Sequence, residues 1–322
     1  MVPQAEEPTP RPFGLGREVA ADGRFVRQAS VFRRWVSADG SSGLPAAAGR
    51  YHLYVCLACP WSHRAVIVRH VKGLEGAVSM SLLDPYRDER GWAFSGGEFT
   101  DPLNGFAFLS QAYEATDPGY HGRFTVPVLW DRERRQIVSN ESADIVRMFD
   151  GEFEALATHH VDLYPEALRS EIDAVNELVY DNVNNGVYRA GFARSQAAYE
   201  QAYERLFAAL DSLEETLATS SYLVGDSPTE ADWRLFPTLV RFDAVYYSHF
   251  KCNRRRLIDY PNLWGYTRDL YQQPGIAPTV AMDQIKRHYY TTHGFLNPSG
   301  IIPVGPEIDF AAPHERERLS SG

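Results

Sequence analysis

The sequence predicts an α/β domain followed by an all-α domain, and three observations carry that prediction. Short β-forming runs bounded by turn residues recur up to about residue 140. The first of them hands over to a helical run at Cys59-Pro60. From about residue 165 the apolar residues recur only at helical spacing. A length of 322 residues fits two domains, each able to bury its own core. The expected boundaries are an irregular N-terminal extension at 1–47, the α/β domain at 48–155, and a helical domain with a C-terminal tail at 165–322.

Residues 1–47 carry clusters such as Gly40-Ser41-Ser42-Gly43 without periodicity, and read as an extension lying over the core. Tyr51-His52-Leu53-Tyr54-Val55 alternates and is rich in β-formers, so a strand ends near Cys56. Pro60 suits the first position of a helix, where its missing N–H costs nothing, and Val66, Ile67, His70 and Val71 continue that helix. A second strand fits Val78 to Leu83, and a long loop follows that carries Trp92. The third run, Thr125 to Trp130, contains Pro127, which a strand tolerates at an edge, at a bend or as a cis bond. A hairpin returns through Gln136-Ile137-Val138, and Asn140-Glu141-Ser142 opens a capped helix. The order β-α-β, hairpin, helix is that of a thioredoxin-like domain. In the second half Leu168, Ile172, Val175 and Val179, then Tyr199, Tyr203, Leu206, Leu210, Leu213 and Leu217, step by threes and fours, as in a helical bundle. Thr229-Glu230-Ala231-Asp232 has the pattern of a capping box, a stabilising feature.

Composition excludes several function classes. Lys and Arg total 32 against 42 Asp and Glu, a net charge of −10, so no attraction to nucleic acid or anionic lipid is expected. Arg254-Arg255-Arg256 reads as a solvated turn. Three cysteines cannot build a disulfide framework, which points to a reducing compartment. The N-terminus lacks the apolar region of a secretory signal, and no apolar run approaches the roughly 18 residues of a membrane span, so the expectation is a cytoplasmic protein without a membrane partner. The ten histidines show no metal-ligand spacing, so no metal is expected.

The chemistry centres on Cys59. A thiolate at a helix N-terminus is stabilised by unpaired N–H groups and the positive end of the dipole, which can lower a cysteine pKa from about 8.5 into the range of about 3.5–7.5. Ser62 stands where a C-x-x-C motif would place its resolving cysteine, so an external thiol must complete any reaction. Cys56 precedes Cys59 by three residues but lies on the strand side, which makes it weak evidence for a dithiol mechanism. A cis bond at Val126-Pro127 would free the Val126 backbone to pair with an extended tripeptide, and the helix opened by Glu141-Ser142 suits a carboxylate. In this order behind Cys59 these features describe a glutathione site.

The stretch Tyr51 to Arg64, with Gly91-Trp92, Thr125 to Asp131, Asn140-Glu141-Ser142, Asn184 to Phe192, His288-Tyr289-Tyr290 and Asn297 to Pro303, resembles the glutathionyl-hydroquinone reductases, the omega-like Xi-class glutathione transferases. The resemblance spans about residues 50–306 and implies a glutathione transferase fold and a homodimer. It implies glutathione-dependent reduction of glutathionyl-hydroquinones to hydroquinones through a Cys59–glutathione mixed disulfide. The partners are then a small thiol and an aromatic quinol conjugate. Carried over by residue, it makes Cys59 the nucleophile and Tyr188 the proton-transferring tyrosine. It places glutathione against Trp92, Arg123, Phe124, Thr125, Val126, Glu141 and Ser142, and the hydroxyls of Tyr246 and Tyr289 near the cysteine, where they help hold a thiolate. Each tyrosine has a plainer reading as packing, since the chain has 18 of them. Ser62 and Cys56 depart from the Ala and Ser of many relatives, and residues 307–322 match nothing in the family. Two other readings stay open: an omega-type thioltransferase or dehydroascorbate reductase, which lacks the tyrosine trio, and a non-catalytic assembly module that keeps the transferase fold.

Overall fold

The computed structural model describes residues 18–319, so the first part of the extension and the last three residues lie outside the description. In chain order the α/β half contains β1 (Tyr51–Val55), α1 (Pro60–Val71), β2 (Val78–Leu82), β3 (Arg87–Asp88), β4 (Gly91–Trp92), α2 (Ser110–Thr116), β5 (Val128–Asp131), β6 (Gln136–Ser139) and α3 (Ser142–Arg147). The main sheet has the order β2-β1-β5-β6, with β1 parallel to β2 and the other pairs antiparallel. This is the thioredoxin-like arrangement.

Every residue of β1 is buried, because the sheet is covered on both faces. Tyr51, Leu53 and Val55 enter the larger core, and Tyr54 enters a second cluster with Leu109, Tyr113 and Trp130. His52, polar in the alternation, is buried too, and its ring nitrogens meet Ser79 Oγ (2.7 Å) and Ser81 Oγ (3.0 Å) on the neighbouring strand.

Two elements differ from the sequence reading. The third run pairs only from Val128, because Pro127 has no N–H to give a ladder; Val126-Pro127 is cis. The loop carrying Trp92 contains a small ladder in which Arg87 pairs with Trp92. The capped helix opened by Glu141-Ser142 forms as expected: it begins at Ser142, and the Glu141 carboxylate caps it by accepting from Ala143 N–H (3.1 Å).

The described part of the extension is tied to both halves. Arg34 N–H donates to Val138 O and Asn140 N–H to Phe32 O, which covers the β6 edge. Further back, Arg194 N–H donates to Gly23 O, and Phe25 packs edge-on against Phe192 at 5.2 Å. Gly23 has φ +86°, and a Cβ there would strike Ser195, so the crossing demands glycine.

The second half is helical: α4 (Arg169–Leu178), α5 (Gly186–Gly191), α6 (Gln196–Thr216), α7 (Glu230–Leu239), α8 (Pro261–Gln272) and α9 (Met282–Thr292). π-helical turns, Val179–Asn184 and Phe242–Tyr246, follow α4 and α7. On α6 the periodic residues Leu206, Leu210 and Leu213 are buried, whereas Tyr199 and Tyr203 are half-buried. The capping box forms, with Thr229 N–H donating to Asp232 Oδ2 at 2.7 Å. No helix among the described residues is long and apolar enough to cross a membrane.

The tail folds back onto this bundle. Phe310 packs on Trp264 and Tyr271, and the buried Arg316 donates to Leu217 O (3.2 Å), Ser220 O (2.6 Å) and Ser221 O (2.8 Å), the carbonyls left open where α6 ends. Arg316→Ala is expected to lower stability by about 2–3 kcal/mol, the range for losing charged donors to buried acceptors. Urea unfolding measures it, and an unchanged midpoint would show the contact to be inert.

Candidate active site

Cys59 is the N-cap of α1, in extended conformation, and Pro60 follows as the first helical residue. Its N–H donates to Cys56 O (3.0 Å), closing the turn from β1, and its carbonyl receives His63 N–H (3.0 Å). The first turn of α1 contains no acidic residue, so the helix N-terminus keeps its positive potential. Cys59 is 8% exposed, and its sulfur lies 3.7 Å from Val126 O. Cys56 is fully buried; burial, reinforced by the Cys59 charge, pushes its thiol far above the ordinary range. Ser62 Oγ takes the Cys56 N–H instead (3.4 Å).

Six residues named from the sequence, Cys59, Trp92, Arg123, Thr125, Val126 and Tyr188, line one cavity of about 90 Å³. The other five, Phe124, Glu141, Ser142, Tyr246 and Tyr289, do not line it. Phe124 packs on Tyr113 and against Gly91. Glu141 and the buried Ser142 sit at the start of α3, where Ser30 Oγ donates to the Glu141 carboxylate (2.9 Å). Tyr246 and Tyr289 stand behind Tyr188: Tyr289 OH bonds Tyr188 OH at 2.5 Å and Tyr246 OH at 2.9 Å, so the three hydroxyls form a hub centred on Tyr289.

The fold also brings residues to the cavity that sequence reasoning did not name: Glu18, Phe25 and Arg27 from the extension, Arg87 from β3, and His288 and His293 at the end of the chain's last long helix. Arg27 donates to Asn185 Oδ1 (2.8 Å) and lies over the rings of Trp61 (4.6 Å) and Tyr188 (5.0 Å). Nothing in the irregular extension signals this. Arg87 lies over Trp92 (5.3 Å), and His288 stacks on the same indole at 5.0 Å. The run His288-Tyr289-Tyr290 carried a signal for His288, but it was read for its tyrosine.

The electrostatics of the cavity favour anions. Burial lowers Arg87 and Arg123 to about 10, which leaves both as cations near neutrality, and Arg123 pairs with Glu18. Burial raises the Tyr188 phenol and the Cys59 charge raises it further, against the opposing pull of Arg27. Tyr246 and Tyr289 are pushed well above their ordinary range by burial first and by neighbouring tyrosines. All three hydroxyls therefore hold their protons. His288 is driven to about 3, mainly by burial, and its Nδ1–H donates to Pro85 O (2.7 Å), which leaves Nε2 unprotonated. Among the described residues no cluster of three or more His, Cys, Asp or Glu could hold a metal ion.

The fold and this cavity define a thiol-dependent transferase, and comparison with known proteins agrees. Residues 58–152 match the family model "Glutathione S-transferase, N-terminal domain" and residues 196–269 match "Glutathione S-transferase, C-terminal domain". The chain is 51% identical to glutathionyl-hydroquinone reductase YqjG of Escherichia coli, over 92% of this chain and 93% of that protein. It is 49% identical to glutathionyl-hydroquinone reductase PcpF of Sphingobium chlorophenolicum, over 89% and 91%. The glutathione-bound structure of YqjG superposes with a TM-score of 0.87 over 89% of this chain and 96% of that one. The Xi-class transferase of Natrialba magadii, 50% identical, gives 0.89 over 91% and 90%. The chain belongs to the glutathione S-transferase family, and its structural neighbours place it in the Xi class.

The buried histidines make a pH prediction. Burial is the leading cause that lowers His52 and His249 to about 4 and His288 to about 3, and that holds His63 and His293 well below 6.5. Their folded pKa values lie below the unfolded value of about 6.5, so the stability they contribute is present above pH 6.5 and is lost as pH falls toward 4. Each contributes a slope of up to about 1.4 kcal/mol per pH unit in that window. The melting temperature is expected to be level above pH 7 and to fall with growing steepness from pH 6.5 to 5. Calorimetry checks this, and a level profile down to pH 5 would contradict it.

Proposed function

We propose that this chain is a glutathionyl-hydroquinone reductase in which Cys59 is the nucleophile and Tyr188 the acid. The observation that carries this reading is that Cys59 and Tyr188 line the same cavity while burial and the sulfur's own charge keep the Tyr188 phenol protonated. Disulfide exchange needs only a thiolate, because the leaving sulfur departs as an anion. Cleaving sulfur from an aromatic carbon needs in addition a proton for that carbon. A protonated phenol beside the sulfur meets that need.

The Cys59 thiolate attacks the sulfur of the aryl–S–glutathione bond, forming a Cys59–glutathione disulfide. The electron pair of the broken carbon–sulfur bond stays on the ring carbon, which takes the Tyr188 proton and leaves as the hydroquinone. The Tyr289 hydroxyl, 2.5 Å away and itself bonded to Tyr246, stabilises the phenolate so formed; the two inner tyrosines thus act through Tyr188. A second glutathione attacks the mixed disulfide, its proton restoring Tyr188, and oxidised glutathione departs with Cys59 returned to the thiolate.

Glutathione carries two carboxylates, and Arg27, Arg87 and Arg123 give it a positive wall. Val126, whose backbone lies outside the β5 ladder, is placed to pair with an extended peptide, with Trp92 alongside and Glu141 and Ser142 anchoring the far end at the start of α3. Glu18 and Arg27 of the extension border this cavity of about 90 Å³ beside Cys59. In the same reading the enzyme is a cytoplasmic homodimer, which sedimentation of the purified protein tests.

Tyr188→Phe is expected to slow reduction of glutathionyl-menadione by roughly 10²–10⁴-fold, the usual contribution of general acid catalysis, while glutathione-dependent disulfide exchange stays within a few-fold of the parent. Equal loss of both activities, or of neither, would remove Tyr188 as the acid and favour an omega-type thioltransferase. Mass spectrometry after incubation with glutathionyl-menadione is expected to show one glutathione on Cys59, released by added thiol. No adduct, together with a Cys59 that iodoacetamide does not alkylate near pH 6, would mark a non-catalytic module.

A further inference from the structure

A fully buried guanidinium stands behind the turn that presents Cys59. Arg241 follows α7 and has no exposed surface. Its Nε donates to Ala58 O (3.1 Å) and its Nη2 to Leu57 O (2.8 Å), the two carbonyls immediately before the cysteine. Its Nη1 donates to Pro237 O (2.8 Å) and meets His63 Nδ1 at 3.0 Å. None of the four partners is an anion. The seat is itself built. Thr279 gives its hydroxyl proton to Ile276 O (2.6 Å), so it accepts from His63 Nε2–H (2.8 Å), which leaves the Nδ1 lone pair facing Arg241. Burial and the Arg241 charge hold His63 well below its ordinary range, so it stays neutral in that role.

Burying a cation without a counter-anion costs several kcal/mol, and a neutral donor could bridge carbonyls at less expense. The positive charge therefore calls for an anion nearby, and the residue that follows Ala58 is Cys59, whose thiolate would be one. We propose that Arg241 is a positioning residue for the reactive sulfur: it fixes the Leu57-Ala58 turn, engages both carbonyl dipoles, and holds a buried positive charge that the Cys59 thiolate balances. The inference rests on Cys59 being the nucleophile, but not on the identity of the quinol.

The test is the pH dependence of Cys59 alkylation by iodoacetamide, followed by mass spectrometry in the full chain. The groups around the sulfur are Glu18, Arg27, Arg87, Arg123, Tyr188, His288 and His293 on the cavity side, and Cys56, His63 and Arg241 behind. Burial holds His63 and His293 well below their ordinary range and His288 at about 3, and the tyrosine and Cys56 are raised, so the rate at pH 6 relative to the high-pH plateau reports the sulfur. Arg241→Met, close in volume but neutral, is expected to react about tenfold more slowly than the parent at pH 6 and within about twofold of it at the high-pH plateau, the effect of removing one neighbouring charge. Arg241→Lys keeps the charge, though it cannot span both carbonyls, and is expected to recover most of the pH 6 rate. A folded Arg241→Met with the parent's profile overturns the proposal. If Arg241→Met does not fold, Thr279→Val decides: it frees the His63 tautomer and is expected to lower the rate at pH 6 relative to the plateau, and a profile matching the parent overturns the proposal. A parent protein whose Cys59 does not react at pH 6 would instead overturn the reading under Proposed function.

Discussion

The Cys59 sulfur at the mouth of α1 is the point to which the surroundings answer. Every side chain near it has a charge state that an anion tolerates. The first turn of α1 carries no acid, three arginines border the cavity, and the adjacent histidines are held neutral by burial. The tyrosines keep their protons chiefly because they are buried, to which Tyr188 adds the Cys59 charge and Tyr289 its neighbouring tyrosines. Among the described residues one carboxylate reaches the cavity, Glu18, and it pairs with Arg123. Low dielectric makes each of these arrangements matter more than it would in water.

The two halves divide the work. The sheet domain supplies the sulfur, the helix it caps and the Val126 backbone; the helical domain supplies Tyr188 and the hydroxyl hub behind it. Neither half completes a site alone. The connection between them is polar as well as apolar: the buried Arg64 of α1 donates to Asn184 and to Arg234 O, and Arg241 reaches the Leu57 and Ala58 carbonyls. Polar bonds specify one relative placement of the halves where sliding apolar faces would allow several. The aromatic packing of Phe25, Tyr188, Phe192 and Phe250 then closes the space beside the sulfur.

Local patterns made most of the framework legible. The alternation of Tyr51 to Val55 and the Cys59-Pro60 junction marked β1 and α1, because a strand period and a helix start are written within a few residues. The capping box at Thr229 and Asp232 was legible for the same reason. The start of β5 was misread because Pro127 breaks the ladder although its neighbours are β-formers, and the Arg87–Trp92 ladder was missed because two-residue strands leave no period to detect. In the site, Cys59 is marked by its helix start, and Trp92, Arg123 and Tyr188 only by the family resemblance; the four share a cavity, whereas Arg27 is invisible: an arginine in an aperiodic segment has no local mark of what it will cross.

The sequence by itself determined the thiol, its helix, the absence of a resolving cysteine at Ser62 and the order of elements, since each depends on residues close together in the chain. Only the tertiary structure decided which distant groups meet that sulfur. Arg27 lies 32 residues before Cys59 in the numbering and Tyr188 129 after it, and their meeting depends on how two cores pack, which no local pattern encodes. It also decided the charge states: whether a histidine or tyrosine is shifted depends on its burial, and burial belongs to the folded whole.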